Sequence, residues 1–261
     1  MCFDNRASAI ISSKLGRLLD DVGKLAAAVR DKGFTHGVKF AWAAILSRLH
    51  LRVDARFDAK YGVDTFGAIP LDNLSVASQN KRFAESYSPS HTLAIKRVLA
   101  RLPIDHRDFD FVDFGSGKGK VVLMAAMYPY RRVVGVEFAL ELHDTACENI
   151  EAFPAKERKA KEVQSIIMDA ATFAIPPDNC VFYFYDPFGT AVLSKIVDKM
   201  AASHEKHRQK IYVIYYEPDY KPERVALLDN ADFLRRWRPP RRLAPAMLPA
   251  VQNTVFFESI S

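Results

Sequence analysis

The chain has 261 residues, of which 49% are hydrophobic and 26% charged, so it is long enough for one sizeable core plus an extension. Its three cysteines are widely spaced, which argues against a disulfide framework or a zinc site and favours a reducing compartment, with the cytoplasm as the expected location. No segment approaches the roughly 18 apolar residues of a membrane span, and the first residues do not resemble a secretory signal.

Residues 1–84 are predicted to form a helical extension and a connector. From Lys14 to Arg30, apolar residues recur at helical spacing with charges on the other face, which indicates an amphipathic helix. A second helix is predicted from Val38 to Leu51. Its apolar run is expected to pack on the core or a partner, with contact to a membrane surface as the alternative. The stretch from Tyr61 to Ser88 has turn residues and no sustained period, which is typical of a connector or lid.

A third helix is predicted from His91 to Leu102, directly after the segment Tyr87-Ser88-Pro89-Ser90. We favour Ser90 as its N-cap, because a serine hydroxyl accepts a hydrogen bond from a backbone N–H of the first helical turn. The alternative is that Tyr87 or Ser90 contacts a ligand, since this helix is expected to begin near the glycine-rich loop that follows.

The nine residues from Phe111 to Gly119 read F-V-D-F-G-S-G-K-G, an apolar strand that leads through an acid into three alternating glycines. Glycine adopts backbone angles that other residues avoid, so this loop can turn sharply and let a ligand lie against bare backbone. A dinucleotide-binding loop usually reads G-x-G-x-x-G, but Lys120 stands where the third glycine belongs. Asp113 would also repel a pyrophosphate, whereas it would pair with an ammonium group.

An acid followed by x-G-x-G-x-G after the first strand resembles the first motif of the class I S-adenosylmethionine-dependent methyltransferases. The resemblance implies that S-adenosylmethionine, which carries an ammonium group and no phosphate, is the cofactor. The alternative is a strand-to-helix turn that binds no ligand. The residues implied in cofactor binding are Asp113, Gly115, Ser116, Gly117 and Gly119.

The next apolar run, Arg132 to Phe138, is predicted to be a second strand that carries Glu137 to its carboxyl end. Because doubly wound folds place an acid about twenty residues beyond the glycines on the ribose hydroxyls, Glu137 is a candidate for that role. Phe138 is a candidate to pack on the adenine ring. The alternative is a solvated strand end followed by an ordinary core phenylalanine.

A third strand is predicted from Val163 to Met168, and it ends at Asp169 and Ala170. The resemblance implies that Asp169 accepts a hydrogen bond from the adenine amino group and that the small Ala170 leaves a backbone N–H free for the ring. A plain strand-to-loop turn is the alternative, because aspartate is common in turns.

The fourth predicted strand, Cys180 to Tyr185, is almost wholly apolar or aromatic, as a parallel strand covered on both faces should be. It ends in D-P-F-G, where the resemblance implies the reacting end of the cofactor. Adenine N6 methyltransferases and several lysine methyltransferases share D/N-P-P-Y/F, and the departure from that motif puts base flipping in doubt. The catalytic candidates are Asp186 and Pro187 to orient an acceptor, Phe188 as a pocket wall, and Tyr87; Asp186 contacting only the cofactor is the alternative.

A helix from Ala191 to Ser203 and strands from Lys210 to Tyr216, Phe233 to Arg238 and Asn253 to Glu258 complete the prediction. This pattern resembles the seven strands of class I methyltransferases, whose final strand is antiparallel. We therefore expect an α/β fold, a doubly wound and mostly parallel seven-strand sheet with helices on both faces, over residues 85–261, plus the N-terminal helical extension.

The resemblance implies methyl transfer to an amine or hydroxyl of a protein, with lysine among the candidates, or of a small molecule. A nucleic-acid methyltransferase and a non-catalytic cofactor-binding module are the alternatives. The net charge of +6 and a basic cluster keep nucleic acid open as a partner, although a solvated surface explains the cluster equally well. No metal site is predicted, because the run His204-Glu205-Lys206-His207 lacks the H-E-x-x-H spacing. The basic cluster is Arg235, Arg236, Arg238, Arg241 and Arg242, and the further candidates for the acceptor side are Tyr215, Tyr216 and Glu217.

Overall fold

The computed structural model describes residues 34–70, 74, 87–216, 221–238 and 254–260. Contacts divide the chain into two compact units, residues 1–52 and residues 53–261. The helix predicted from Lys14 to Arg30 lies outside the described residues, whereas the one predicted from Val38 to Leu51 falls within helix α1, Phe34–Tyr61. The unit that contains the sheet begins at Val53, upstream of the boundary predicted between residues 84 and 85.

The second unit is built on a seven-stranded sheet, as the sequence predicts. Its strand order is β3-β2-β1-β4-β5-β7-β6. Neighbouring strands from β3 to β5 are parallel, whereas β7 is antiparallel to both β5 and β6, so the expected mixed sheet with an antiparallel final strand is confirmed. The strands are β1 Asp110–Phe114, β2 Arg132–Glu137, β3 Glu162–Ile167, β4 Cys180–Tyr185, β5 Ile211–Tyr216, β6 Leu234–Trp237 and β7 Thr254–Ser259.

Helices cover both faces of this sheet, and its central strands are therefore buried on both sides. All residues of β1 and β5 are buried, with alternate side chains packing into different clusters. One cluster joins Phe111 and Tyr183 to α2, α3 and α4, and the other joins Val112 and Phe182 to α5 and α6. The helices are α2 Thr92–Leu99, α3 Lys120–Ala126, α4 Leu140–Ala152, α5 Thr190–His207 and α6 Pro222–Asp229.

The start of α2 differs from the sequence prediction. His91 is the N-cap residue, and the Ser90 hydroxyl is instead hydrogen-bonded to the Tyr183 hydroxyl at 3.1 Å. The first turn is satisfied by Asp54, whose Oδ1 accepts from the backbone N–H of Thr92 at 2.9 Å and from its hydroxyl at 2.7 Å. A carboxylate distant in sequence therefore replaces the local cap.

His204 near the end of α5 is buried, whereas Glu205, Lys206 and His207 after it are exposed. Its Nδ1 and Nε2 lie 2.9 and 3.0 Å from the carbonyl oxygens of Gln209 and Ile260, so the ring joins the end of α5 to the residue after β7. Among the described residues there is no histidine, cysteine or acid cluster suited to a metal ion. In the same part of the chain, no helix is both long and apolar enough to cross a membrane.

Candidate functional site

The three glycines between β1 and α3 all have positive φ, at +74° for Gly115, +53° for Gly117 and +81° for Gly119. A Cβ at Gly115 would lie 2.4 Å from Cβ of Pro187, and one at Gly117 would lie 2.1 Å from Cε2 of Tyr87. Glycine is therefore required at these two positions for both backbone angle and space. The loop passes directly beneath the segment after β4 and the segment before α2.

The backbone N–H groups of this loop are used within the protein. Those of Gly115 and Ser116 both donate to the carbonyl oxygen of Val136, at 2.9 and 3.2 Å, and that of Gly117 donates to Oε2 of Glu137 at 2.8 Å. A dinucleotide-binding loop presents such groups to a pyrophosphate. Here these N–H groups already donate to a backbone carbonyl and to the Glu137 carboxylate.

Glu137 is buried at the end of β2 and holds the loop on that strand. Its Oε1 also accepts from the backbone N–H groups of Phe138 and Ala139, both at 2.9 Å. Burial raises the pKa of the Glu137 carboxyl, and the three backbone donors partly offset that rise. Because a carboxylate has about four lone-pair sites, three bonds leave capacity for roughly one more donor, such as a ribose hydroxyl.

Asp113 is the other buried carboxyl group, 2% exposed near the end of β1. No described residue donates a hydrogen bond to it, and it lines a small cleft together with Ser88, Gly115 and Tyr185. Burial raises the pKa of Asp113 well above its ordinary value, and the nearby Glu137 raises it further. A partnerless carboxyl group in a cleft is unusual, because buried polar groups are normally hydrogen-bonded.

Two lysines at the glycine loop are held by aspartates near the end of α1: Lys120, predicted only as a departure from G-x-G-x-x-G, and Lys118, which had no predicted role. Lys120 Nζ lies 2.8 Å from Oδ1 of Asp54, with both side chains almost fully buried. Lys118 Nζ donates to both carboxylate oxygens of Asp64 at 3.0 and 2.9 Å. Neither lysine is therefore directed at a phosphate site. The presence of two lysines at one glycine loop was the feature of the sequence that could have indicated these ion pairs.

Asp54 is the centre of this network. Burial alone would raise its pKa, but hydrogen bonds from His91, Lys120 and Thr92 outweigh that effect and hold the pKa of Asp54 well below its usual range. Asn149 on α4 supplies a second anchor, because its side chain bonds both the backbone of Asp64 and, at 2.9 Å, the carbonyl oxygen of Lys118.

The adenine candidates lie together. Phe138, Asp169 and Ala170 line an apolar cleft with Phe188, which packs edge-on against Phe184 at 6.2 Å. Asp169 Oδ1 accepts from the backbone N–H of Ala171 at 2.9 Å, an ordinary hydrogen bond for an aspartate in a turn. Phe188, predicted as a wall for the acceptor, thus lies beside the residues predicted to hold adenine.

Two of the remaining candidates, Pro187 and Tyr87, lie against the glycine loop. Pro187 lines the clefts on both sides of Gly115, and Tyr185 faces the clefts that contain Glu137 and Asp113. Tyr87 covers Gly117 with its ring and donates its hydroxyl to the carbonyl oxygen of Thr65 at 3.0 Å. Burial raises the pKa of Tyr87 far above its ordinary value, so this hydroxyl is not a base at neutral pH.

Asp186 is held away from these clefts by cations. Its carboxylate receives a hydrogen bond from Tyr215 at 2.8 Å, an ion pair from Lys221 at 3.0 Å and a close ion pair from Arg224. Its φ of +40° is uncommon for a residue with a side chain, and the ion pairs compensate for that strain. The side chain predicted to orient an acceptor is therefore engaged by Tyr215, Lys221 and Arg224.

The basic cluster is partly neutralised. Arg235 pairs with Glu258 at 2.8 Å, and Arg236 pairs with Asp229 at 2.5 Å, so both side chains brace β6 against its neighbours. Arg238 is exposed, whereas Arg241, Arg242 and the predicted rim residue Glu217 lie outside the described residues. Tyr215 is wholly buried, and Tyr216 packs its ring 4.6 Å from that of Tyr185.

No protein-family model matches the sequence, and no curated protein matches it. Solved structures with a similar fold include magnesium protoporphyrin IX methyltransferase from Synechocystis PCC 6803 with bound S-adenosylmethionine, at 13% identity and a TM-score of 0.45, covering 64% of this chain and 77% of that one. An RNA methyltransferase from Salinibacter ruber, crystallised with S-adenosylhomocysteine, is 17% identical at a TM-score of 0.40, with 66% and 92% covered. Precorrin-6y C5,15-methyltransferase from Geobacter metallireducens is 14% identical with a TM-score of 0.42, covering 73% of this chain and 97% of that one.

Proposed function

We propose that the protein is an S-adenosylmethionine-dependent methyltransferase. The observation that carries the proposal is a row of three acids, from three neighbouring strands, around one glycine. Asp113 on β1, Glu137 on β2 and Asp169 after β3 line three small clefts that all include Gly115. Because adjacent strands lie about 4.8 Å apart, the row extends over roughly 10 Å.

The row fits the cofactor group by group. Asp113, to which no described residue donates, suits the ammonium group of the methionine part, since an opposite charge stabilises a buried carboxylate. Glu137 retains capacity for a ribose hydroxyl, and the apolar cleft with Phe138 and Ala170 suits the adenine ring, whose amino group would donate to Asp169.

The same geometry disfavours NAD and other phosphate-bearing ligands. The loop N–H groups of Gly115, Ser116 and Gly117 are engaged, and Lys118 and Lys120 are paired with aspartates. A pyrophosphate here would meet two buried carboxyl groups and no free donor among these residues, which is electrostatically costly.

When bound, the cofactor supplies an electrophilic methyl group on its sulfonium. The protein then has to hold the cofactor, orient a neutral nucleophile in line with the departing sulfur and exclude water. We assign Asp113 and Glu137 to holding the cofactor. Tyr185 and Pro187 would bound the reacting end, where the carbonyl of Pro187 would orient the acceptor. Asp186 acts as a positioning residue, because its ion pairs hold the turn that carries Pro187.

The acceptor that we propose is an amine or hydroxyl of a protein, with lysine as the first candidate, or of a small molecule. An amine reacts as its neutral form and needs no strong base, which suits a reacting end bounded by Tyr185, Pro187 and Ser88. The domain that carries the activity is proposed to include residues 85–261.

The test is calorimetry with S-adenosylmethionine on the wild type, Asp113→Asn and a matched control, Asp198→Asn, which changes an exposed acid on α5. We expect the control to bind like the wild type, and Asp113→Asn to bind about 10- to 100-fold more weakly, because hydrogen bonds to charged groups contribute roughly 1.5–3 kcal/mol. Glu137→Ala is a poorer choice, because it would also leave three backbone donors unpaired.

Absence of wild-type binding, or equal binding by Asp113→Asn, would overturn the cofactor assignment. Thermal unfolding of each variant without cofactor separates loss of binding from loss of fold. Where binding is established, transfer of labelled methyl groups to protein, amine and nucleic-acid acceptors identifies the acceptor class.

A further inference from the structure

A second, larger cleft lies apart from the three acids. It measures about 470 Å³ and runs between the end of α1, α2, the end of α3 and the turn before β3. Because α3 begins at the glycine loop and ends here, the two sites are at opposite ends of that helix. We refer to it as the lysine cleft. Its charged and apolar lining includes Lys96, Lys156, Lys159, Met124, Met127 and Tyr128.

The walls of the lysine cleft carry an excess of positive charge. Lys96 stands on one wall and Lys156 and Lys159 on the other, and all three are exposed with no acidic partner among the described residues. Glu157 is the acid in this lining, and it lies near Lys60. The Tyr61 hydroxyl, and more weakly Glu157, raise the pKa of Lys60. The cleft therefore suits an anionic occupant.

The floor of the lysine cleft is apolar. Met124 and Phe57 are almost buried, and Met127 is half-buried at the end of α3. Methionine side chains are flexible and polarizable, so they adapt to apolar side chains of different shapes. A free phosphate or another small anion would use the lysines and leave this floor exposed to water.

The tyrosine rings of the cleft already pack on other rings of the protein. Tyr61 packs against Phe57 and Phe153, with ring centroids 4.9 Å apart in both pairs. Tyr128 stacks on His106 at 4.8 Å. Single-stranded nucleic acid is normally held by exposed aromatic faces as well as by cations, so these covered rings disfavour it.

We propose that the lysine cleft docks an acidic amphipathic helix of a protein partner, with apolar side chains on the methionine floor and carboxylates on the lysines. A groove that receives such a helix needs an apolar floor between charged walls, which is the arrangement here. Neither this chain nor its first 33 residues supplies a good occupant, because both carry more basic than acidic side chains. The proposal does not depend on the methyltransferase assignment.

The test uses the full chain and a fluorescein-labelled helical peptide of about five turns, with leucine on one face and glutamate on the other. Fluorescence anisotropy compares wild type, Lys156→Glu/Lys159→Glu and the matched control Lys195→Glu/Lys206→Glu, which reverses two exposed lysines on α5. We expect the cleft variant to weaken binding by about tenfold or more and the control by less than about threefold. Met127→Ser, which removes part of the floor without changing charge, should also weaken binding.

Two further probes complete the test, with thermal unfolding to show that each variant is folded. A peptide with serine in place of leucine should bind much more weakly than the amphipathic one, and oligo(U) should not displace the amphipathic peptide. Equal loss in the two charge-reversal variants would reduce the effect to net charge and overturn the proposal. Tight binding of the serine peptide, or displacement by oligo(U), would also overturn it.

Discussion

Asp113 and Glu137 show how two buried carboxyl groups on adjacent strands can have different tasks. Glu137 receives three backbone N–H groups and fixes the loop, whereas Asp113 has no donor among the described residues. The sequence predicted both acids from their positions after the strands. It could not predict that one is used by the fold, because that depends on the direction of individual N–H bonds in the loop.

The first prediction concerns the pH dependence of stability. Folding raises the pKa of Asp113, chiefly through burial, so the folded chain loses stability as the pH rises from the unfolded value of about 4 toward the raised value. Asp113→Asn removes this titration. We expect its free energy of unfolding in urea, relative to the wild type, to increase from about pH 5 to about pH 8. Parallel pH profiles for the two proteins would contradict the burial of an ionisable Asp113.

The second prediction concerns Gly117. Gly117→Ala places a side chain at a φ of +53° and against the ring of Tyr87, so we expect a loss of about 2 kcal/mol or more in the free energy of unfolding. In the double variant with Tyr87→Ala, the ring contact is absent and only the backbone strain remains. A double-mutant cycle measured by urea unfolding should therefore show coupling of about 1 kcal/mol. Additive losses would mean that the ring does not lie on the loop.

At the scale of elements, the end of α1 supports the glycine loop. Asp54 and Asp64 bind the two loop lysines, and Asp58 accepts from the backbone of Thr65 and Phe66 at 2.8 Å to shape the connection between them. The strands could be predicted from the sequence because their apolar pattern is local. These ion pairs join residues more than fifty positions apart, and no local periodicity indicates such a pairing.

The third prediction compares the two lysines. Lys120→Met removes the lysine partner of an almost fully buried Asp54, so we expect a loss of about 3–5 kcal/mol in the free energy of unfolding. Lys118→Met is the matched control, because its partner Asp64 is 69% exposed and the loss should be below about 1 kcal/mol. Urea unfolding of both variants measures the difference. Equal losses would show that burial of the Lys120 pair is unimportant.

At the scale of the whole molecule, the structure confirms the predicted seven-strand sheet, whereas the limits of the compact unit cannot be read from the local sequence pattern. Phe57 and Tyr61 of α1 are part of the core cluster on one face of the sheet. The sequence did not indicate their contribution, because the predicted helix ends at Leu51, before Phe57, and the stretch that begins at Tyr61 has the composition of a connector. Asp186 was predicted from the D-P-F-G motif, but its ion pairs with Lys221 and Arg224 become visible only in the folded chain.

The fourth prediction follows from this. A fragment of residues 53–261 keeps Asp54, Phe57 and Asp64, and we expect it to unfold cooperatively in urea. A fragment of residues 85–261 loses these residues and leaves Lys118 and Lys120 without partners, so it should unfold without a sharp transition. Equal cooperativity in the two fragments would show that the end of α1 is not part of the folding unit.

The row of Asp113, Glu137 and Asp169 has a consequence for regulation under the proposed function. The groups that these acids would bind, the ammonium, the ribose and the adenine, are the same in S-adenosylmethionine and in its demethylated product. These three contacts therefore cannot distinguish the two compounds, and each would compete for the site with similar affinity. Turnover would then follow the ratio of methyl donor to spent donor around the protein, rather than the concentration of the donor alone.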